Sequence, residues 1–183
     1  MMPKNLRGNL ELGAQIIIAI ATVLIAGVVV KRYLFPPPVN PSNLPRITVG
    51  EQLNVPGVEW QQNKKTLVFF LMKDCVYCKA SAPFYRQLIE DASKRDVKLL
   101  AILPNSIEEG QTYLRSVDLA IGDVRSGALS AYKISGTPTI LFVDGQGIVR
   151  GAWFGSAPER DKQMRDELVA LFDANGAGTT TLK

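Results

Sequence analysis

Thr66-Leu67-Val68-Phe69-Phe70-Leu71-Met72-Lys73-Asp74-Cys75-Val76-Tyr77-Cys78 decides how this chain is read. Its first half is a short apolar run rich in β-formers, as expected of a strand buried on both faces. Its second half carries the chain's only two cysteines. Past them, Phe84, Tyr85, Leu88, Ile89 and Ala92 recur at helical spacing. The cysteine pair therefore falls at a strand-to-helix junction, on the first turn of the helix. At this spacing two cysteines can close a disulfide across one turn, hold a metal or be incidental, and their surroundings have to decide.

Composition removes several chemistries. With 183 residues, 46% hydrophobic and 21% charged, the chain suffices for one ordinary domain with a core, plus appendages. A net charge of +4 without a basic tract gives no sign of a nucleic-acid partner. There is no histidine, so neither a Ser-His nor a Cys-His catalytic pair can be assembled. A structural zinc site needs about four Cys or His ligands. A covalent haem motif needs His after the second Cys, where Lys79 stands. No metal or other cofactor is expected.

Leu12 to Val30 is almost continuously apolar, interrupted mainly by Gln15 and Thr22. At about 1.5 Å per residue it reaches roughly 28 Å, close to the hydrocarbon core of a bilayer. Lys31 and Arg32 end the run, and Tyr33 and Phe35 suit the interface. The run is apolar all round rather than along one stripe, which favours a membrane anchor over a core helix. It is long for a signal peptide, and no small-x-small cleavage site follows. Pro36, Pro37, Pro38, Pro41 and Pro45 then favour an extended, stiff spacer. The expected organisation is a tail at 1–11, a transmembrane anchor at 12–30, a linker at 31–46, a folded domain at 47–173 and a small, polar, disordered tail at 174–183. Lys4 and Arg7 before the anchor nearly balance Lys31 and Arg32 after it, so charge does not orient it.

Within the domain, Val97 to Leu103 is expected as a second buried strand, stopped by Pro104. Ser106-Ile107-Glu108-Glu109 has the pattern of a capping box opening a helix, and so does Ser156-Ala157-Pro158-Glu159. Ala128 to Lys133 reads as a short helix. Pro138 precedes the strand Thr139 to Val143, which Asp144-Gly145 and Gly147 turn back into Ile148 to Trp153. Met164, Leu168, Leu171 and Phe172 form the apolar stripe of a last helix. The order β-α-β-α, then β-β-α, predicts an α/β fold: a mixed sheet with helices on both faces.

Cys75-x-x-Cys78 at a helix start, Pro83 shortly after it and Thr137-Pro138 opening a distant strand together resemble the thioredoxin-like superfamily over roughly Ile47 to Phe172. The anchor, spacer and Asp144-Gly145 hairpin resemble its membrane-tethered TlpA/ResA branch. The resemblance implies a three-layer fold with a mixed central sheet flanked by helices, preceded by a single transmembrane helix. It implies a kink at Pro83 and a cis bond at Thr137-Pro138. It also places the N-terminus in the cytoplasm and the domain outside the inner membrane, in an oxidising space. The departures are specific. Asp74 stands where thioredoxins carry Trp, Phe69 where they bury an acid, and Ser81 where ResA-like proteins carry Glu. The usual proton acceptor for Cys78 is thus missing. The Tyr77 centre with Thr137 before Pro138 resembles disulfide isomerases, whose dimerisation domain has no counterpart here.

The reading that follows is a thiol–disulfide oxidoreductase acting on cysteine-containing proteins and coupled to an upstream membrane or soluble thiol donor or acceptor. Cys75 precedes the helix and meets its free N–H groups, so it is expected to be the attacking thiolate. Cys78, one turn in, is expected to be more buried and to resolve the mixed disulfide. Val76, Tyr77, Thr137 and Pro138 are the expected substrate contacts. Phe84, Tyr85 and Trp153 are assigned to the core. A purely structural disulfide is disfavoured, since so small a loop removes little chain entropy. A thiol peroxidase would need Pro and Thr where Val68 and Met72 stand. A copper- or partner-binding module without catalysis is the alternative from another class.

Overall fold

The computed structural model describes the backbone of residues 4–34 and 45–174 and the side chains of 15–31 and 45–174. The start of the N-terminal tail, most of the proline-rich linker and the C-terminal tail beyond 174 lie outside the described residues. The chain divides into two units, Met1–Asn43 and Leu44–Lys183.

The described residues of the first unit form one helix, α1 (Lys4–Leu34), which contains the apolar run. Ile16, Ile17, Val23, Leu24 and Val28 on it are all exposed. The Thr22 hydroxyl donates to the Ile18 carbonyl at 2.8 Å, so this polar side chain is satisfied within its own helix. Among the described residues no helix is long and apolar enough to cross a membrane.

The second unit is built on a five-stranded mixed sheet. Its strands are β1 (Lys65–Phe70), β2 (Lys98–Leu103), β3 (Asp123–Ser126), β4 (Thr139–Asp144) and β5 (Val149–Phe154), in the order β3-β2-β1-β4-β5. β1 pairs parallel with β2, and β2 with β3; β4 runs antiparallel to both β1 and β5. The central strands are apolar on both faces because both faces are covered. Leu67 and Phe69 of β1, Ala101 and Leu103 of β2, and Ile140 and Phe142 of β4 enter one core. Their neighbours Val68, Phe70, Leu100, Ile102, Leu141 and Val143 enter a second.

The helices do not divide between these faces as the sequence predicts. Two successive right-handed crossovers in the same direction, β1 to β2 and β2 to β3, put their helices on one side. α3 (Ala82–Ser93), α4 (Ile107–Ser116) and α5 (Asp161–Asp173) all contribute to the first core, through residues such as Leu88, Leu114 and Leu168. The second face is closed by the segment from Ile47 to Trp60, by Ile134 and by 3-10 turns at Trp60–Gln62 and Leu129–Tyr132. The short helix expected at 128–133 is the second of these turns. The edge strand β3 was not expected at all. The hairpin forms where predicted, with Asp144 Oδ1 accepting the N–H groups of Gln146 and Ile148 at 2.9 and 3.0 Å.

Candidate active site

β1 delivers the chain to the cysteines, and a short helix, α2 (Val76–Ala80), begins directly after Cys75. Cys75 is the helix's N-cap, with extended backbone, and its Sγ accepts the Cys78 N–H at 3.1 Å. A cysteine thus takes the place usually filled by Ser, Thr, Asp or Asn, so its sulfur faces backbone donors. The helix breaks at Ser81 and restarts as α3, with Pro83 in its first turn. That is the kink expected at this proline, and Pro83 is tolerated there because first-turn N–H groups have no intrahelical acceptor.

The two thiols differ in setting and are not joined. Partial burial works against the Cys75 thiolate. The Cys78 side chain, the Thr137 side chain and the backbone N–H groups of Cys78 and Tyr77 favour it, and the balance holds Cys75 below the ordinary thiol range. Cys78 is only 1% exposed. Burial first, then the neighbouring Cys75, push it up to about 12, against the Met72 backbone and the Thr137 side chain. The two shifts run in opposite directions, so Cys75 is the readier of the two to become the nucleophilic thiolate and Cys78 the one that keeps its proton.

Thr137-Pro138 lies across from the pair, and its peptide bond is cis. As a thiol, Cys75 donates to the Thr137 carbonyl at 3.5 Å. The structure therefore brings Cys75, Cys78, Thr137 and Pro138 together. Pro138 is buried and Thr137 partly so, whereas Val76 and Tyr77 stand out into solvent at 76% and 67% exposure. Phe84 and Tyr85 are core residues, as assigned. Trp153 is half-buried, with its Nε1 donating to Glu167 Oε2 at 3.0 Å.

Lys73 does not offer a free charge to the cysteines, because its Nζ pairs with Glu109 Oε1 at 2.9 Å. Glu109 also closes the capping box of α4 with Ser106. Where an acid might have stood, Phe69 meets Tyr85 edge-on with ring centroids 5.6 Å apart. Ser81 does not face a base; its Oγ lies 2.7 Å from Ser156 Oγ. Ser156 is thereby drawn to the active-site helix and caps nothing: the 3-10 turn Pro158–Arg160 and α5 start without a side-chain cap, contrary to the sequence pattern. The strongest influences on both thiols include no carboxylate.

Two tyrosines were missed as neighbours of the pair. The Tyr113 hydroxyl is buried without a hydrogen-bond partner. Burial, then the charges of Cys78 and Cys75, push its phenol up to about 12. Tyr85 is shifted upward by burial and by the same two sulfurs, with Ser81 opposing. Helical spacing marked Tyr85 as core but could not show that its hydroxyl end points toward the dithiol.

Fold and dithiol define a thioredoxin-like protein. The sequence profile of the Thioredoxin-like domain matches residues 60–167, more than half of the chain, and the chain belongs to that family. No curated protein sequence matches it. Among solved structures, it superposes on a candidate thiol:disulfide interchange protein DsbE from Chlorobium tepidum with a TM-score of 0.58 and 16% identity, covering 69% of this chain and 99% of that one. The thioredoxin domain of a thiol-disulfide oxidoreductase from Bacteroides vulgatus gives 0.52 and 15%, covering 67% and 99%. A thiol-disulfide isomerase from Corynebacterium glutamicum gives 0.51 and 19%, covering 73% and 99%.

Proposed function

We propose that the protein is a membrane-tethered, extracytoplasmic thiol–disulfide oxidoreductase of the TlpA/ResA kind, acting on the cysteines of other proteins. The observation that carries this is the division of labour at one helix start: an N-capping Cys75 whose thiolate is stabilised, beside a buried, protonated Cys78. In the reducing direction the Cys75 thiolate attacks one sulfur of a target disulfide. A Cys75–target bond forms, the target's S–S bond breaks, and the other target sulfur leaves as a thiolate. Cys78 then gives up its proton and attacks Cys75 Sγ. The target leaves as a dithiol, and the Cys75–Cys78 disulfide carries away the two-electron oxidation. An upstream thiol partner reverses that last change. In the oxidising direction the same steps run backwards.

The Thr137 carbonyl, 3.5 Å from Cys75 Sγ, offers an acceptor to an extended target backbone. The exposed Val76 and Tyr77 offer it side-chain contact. The tether is supported by the apolar run at 12–30 inside α1, by its exposed isoleucines and valines, and by the satisfied Thr22 hydroxyl. We place the N-terminus in the cytoplasm and the domain beyond the inner membrane, where disulfides persist.

Equilibration of the full chain with glutathione buffers tests the chemistry. A single two-electron couple between about −300 and −120 mV is expected, and its position gives the direction of electron flow. A pair that does not exchange with glutathione would refute the proposal.

A further inference from the structure

A cleft of about 350 Å³ lies on the free side of β5. It wraps around the strand edge, with Trp153 and Met164 on the helix-bearing side and Phe154 on the other. It adjoins the redox centre through the segment after β5. Gly155 and Ala157 line it, and the Gly155 N–H donates to the Pro138 carbonyl at 2.8 Å. Ser156, between them, holds Ser81 of the active-site helix.

Its charges are unbalanced. Glu167 is the one carboxylate of the lining, and both its oxygens are occupied, by Trp153 Nε1 at 3.0 Å and Gln163 Nε2 at 2.9 Å. The two cations are Arg46 and Arg160. Arg46 lies over the Phe154 ring, 5.4 Å from its centroid, and donates to Ser135 Oγ at 3.2 Å. Among the described residues neither arginine forms a salt bridge. Glu159 and Asp161 flank Arg160 in sequence but do not line the cleft. The segment at Gly50–Gln52 covers the start of the outer side of β5, with the Gly50 N–H donating to the Val149 carbonyl at 2.8 Å and the Val149 N–H to the Glu51 carbonyl at 2.9 Å; past Val149, no strand among the described residues pairs with that side. An extended chain lying there meets free backbone groups, aromatic and thioether surface, and two guanidinium groups suited to carboxylates.

We infer that this cleft is the docking site for an acidic, partly apolar segment of the target protein, continuous with the stretch presented to Cys75. The inference deepens the exchange reaction proposed above and rests on it for the identity of the target. The cleft itself is testable without thiol chemistry.

The probe is a short fluorescent peptide of alternating Glu and Val with no cysteine, titrated onto the full chain in neutral detergent. A Lys–Val peptide of equal length serves as comparison. The Glu–Val peptide is expected to bind more tightly. Arg46→Glu with Arg160→Glu is expected to weaken it roughly tenfold, as is raised salt, while Arg46→Lys with Arg160→Lys retains most of the binding. Equal binding of the two peptides, or charge reversal without effect, would overturn the inference. So would a peptide that fails to bind while Trp153 emission responds to anionic but not zwitterionic vesicles, a result that assigns the face to lipid. Because the peptide lacks cysteine, a chain inert toward glutathione removes the proposed reaction while the cleft stands or falls on binding alone.

Discussion

At the scale of single residues, the chemistry depends on where each sulfur sits rather than on the spacing of the pair. The Cys75 thiolate is favoured, against partial burial, by the N–H groups at the start of α2 and by the Thr137 side chain across the site. A hydrogen bond to a charged group contributes about 1.5–3 kcal/mol. Thr137→Val should therefore slow alkylation of Cys75 at neutral pH about tenfold, as read by mass spectrometry of iodoacetamide-treated protein. Cys78 acts on stability in the opposite sense. Its folded value of about 12 lies above the ordinary thiol range near 8.5. Its contribution is intact below that ordinary value and is lost as pH rises toward the folded one. The reduced protein should lose stability through this alkaline window, and Cys78→Ala should flatten the decline in denaturant titrations. Tyr113 carries a buried hydroxyl without a partner. Tyr113→Phe should leave stability unchanged or raise it by about 1 kcal/mol, since a desolvated, unpaired group is removed with little change of shape.

At the scale of elements, two similar serine patterns had opposite outcomes. Ser106 forms a complete capping box with Glu109, and Ser106→Ala should cost about 1 kcal/mol in thermal or denaturant unfolding. Ser156 has the same pattern in sequence, but its Oγ is taken by Ser81, a tertiary partner that local pattern cannot reveal. β3 was illegible for a related reason. Its residues are Asp-Val-Arg-Ser, and only Val124 is buried, so a short edge strand shows no alternation to read. The central strands were legible because burial on both faces leaves an unbroken apolar run. The junction at Cys75 was legible because the change from strand to helix periodicity is local, whereas the kink at Pro83 came from the family resemblance. What closes the second face was not, because irregular segments and 3-10 turns lack the period that marks an α-helix. α3 and α5 are tied by Arg165, whose Nε and Nη2 reach the two oxygens of Asp91 at 2.6 and 3.1 Å. The Arg165 hydrogen bonds, outweighing partial burial, hold the Asp91 carboxyl below its usual range. That contribution is present above the unfolded carboxyl value and is lost as pH falls through the folded one. Asp91→Asn should accordingly reduce stability at pH 7 and make its acid dependence shallower.

At the scale of the whole molecule, the proposal combines an anchor, a spacer and a redox domain. The domain was legible from the combination of Cys75, Cys78, Pro83 and Pro138; the anchor is a reading of hydropathy alone. The chain should stay with membranes through alkaline carbonate extraction, and protease added to spheroplasts should digest its domain. Release by carbonate, or protection from the protease, would contradict the tethered arrangement. The central claim is narrower: Cys75 attacks and Cys78 resolves, on the cysteines of other proteins. It is tested most directly by expressing the full chain with Cys78→Ser and resolving acid-quenched lysates without reductant. The account predicts mixed disulfides between Cys75 and other proteins that disappear on reduction and are absent when Cys75→Ser is added. A Cys78→Ser chain that carries no partner on Cys75, in cells whose other thiol–disulfide complexes survive the same quench, would contradict it.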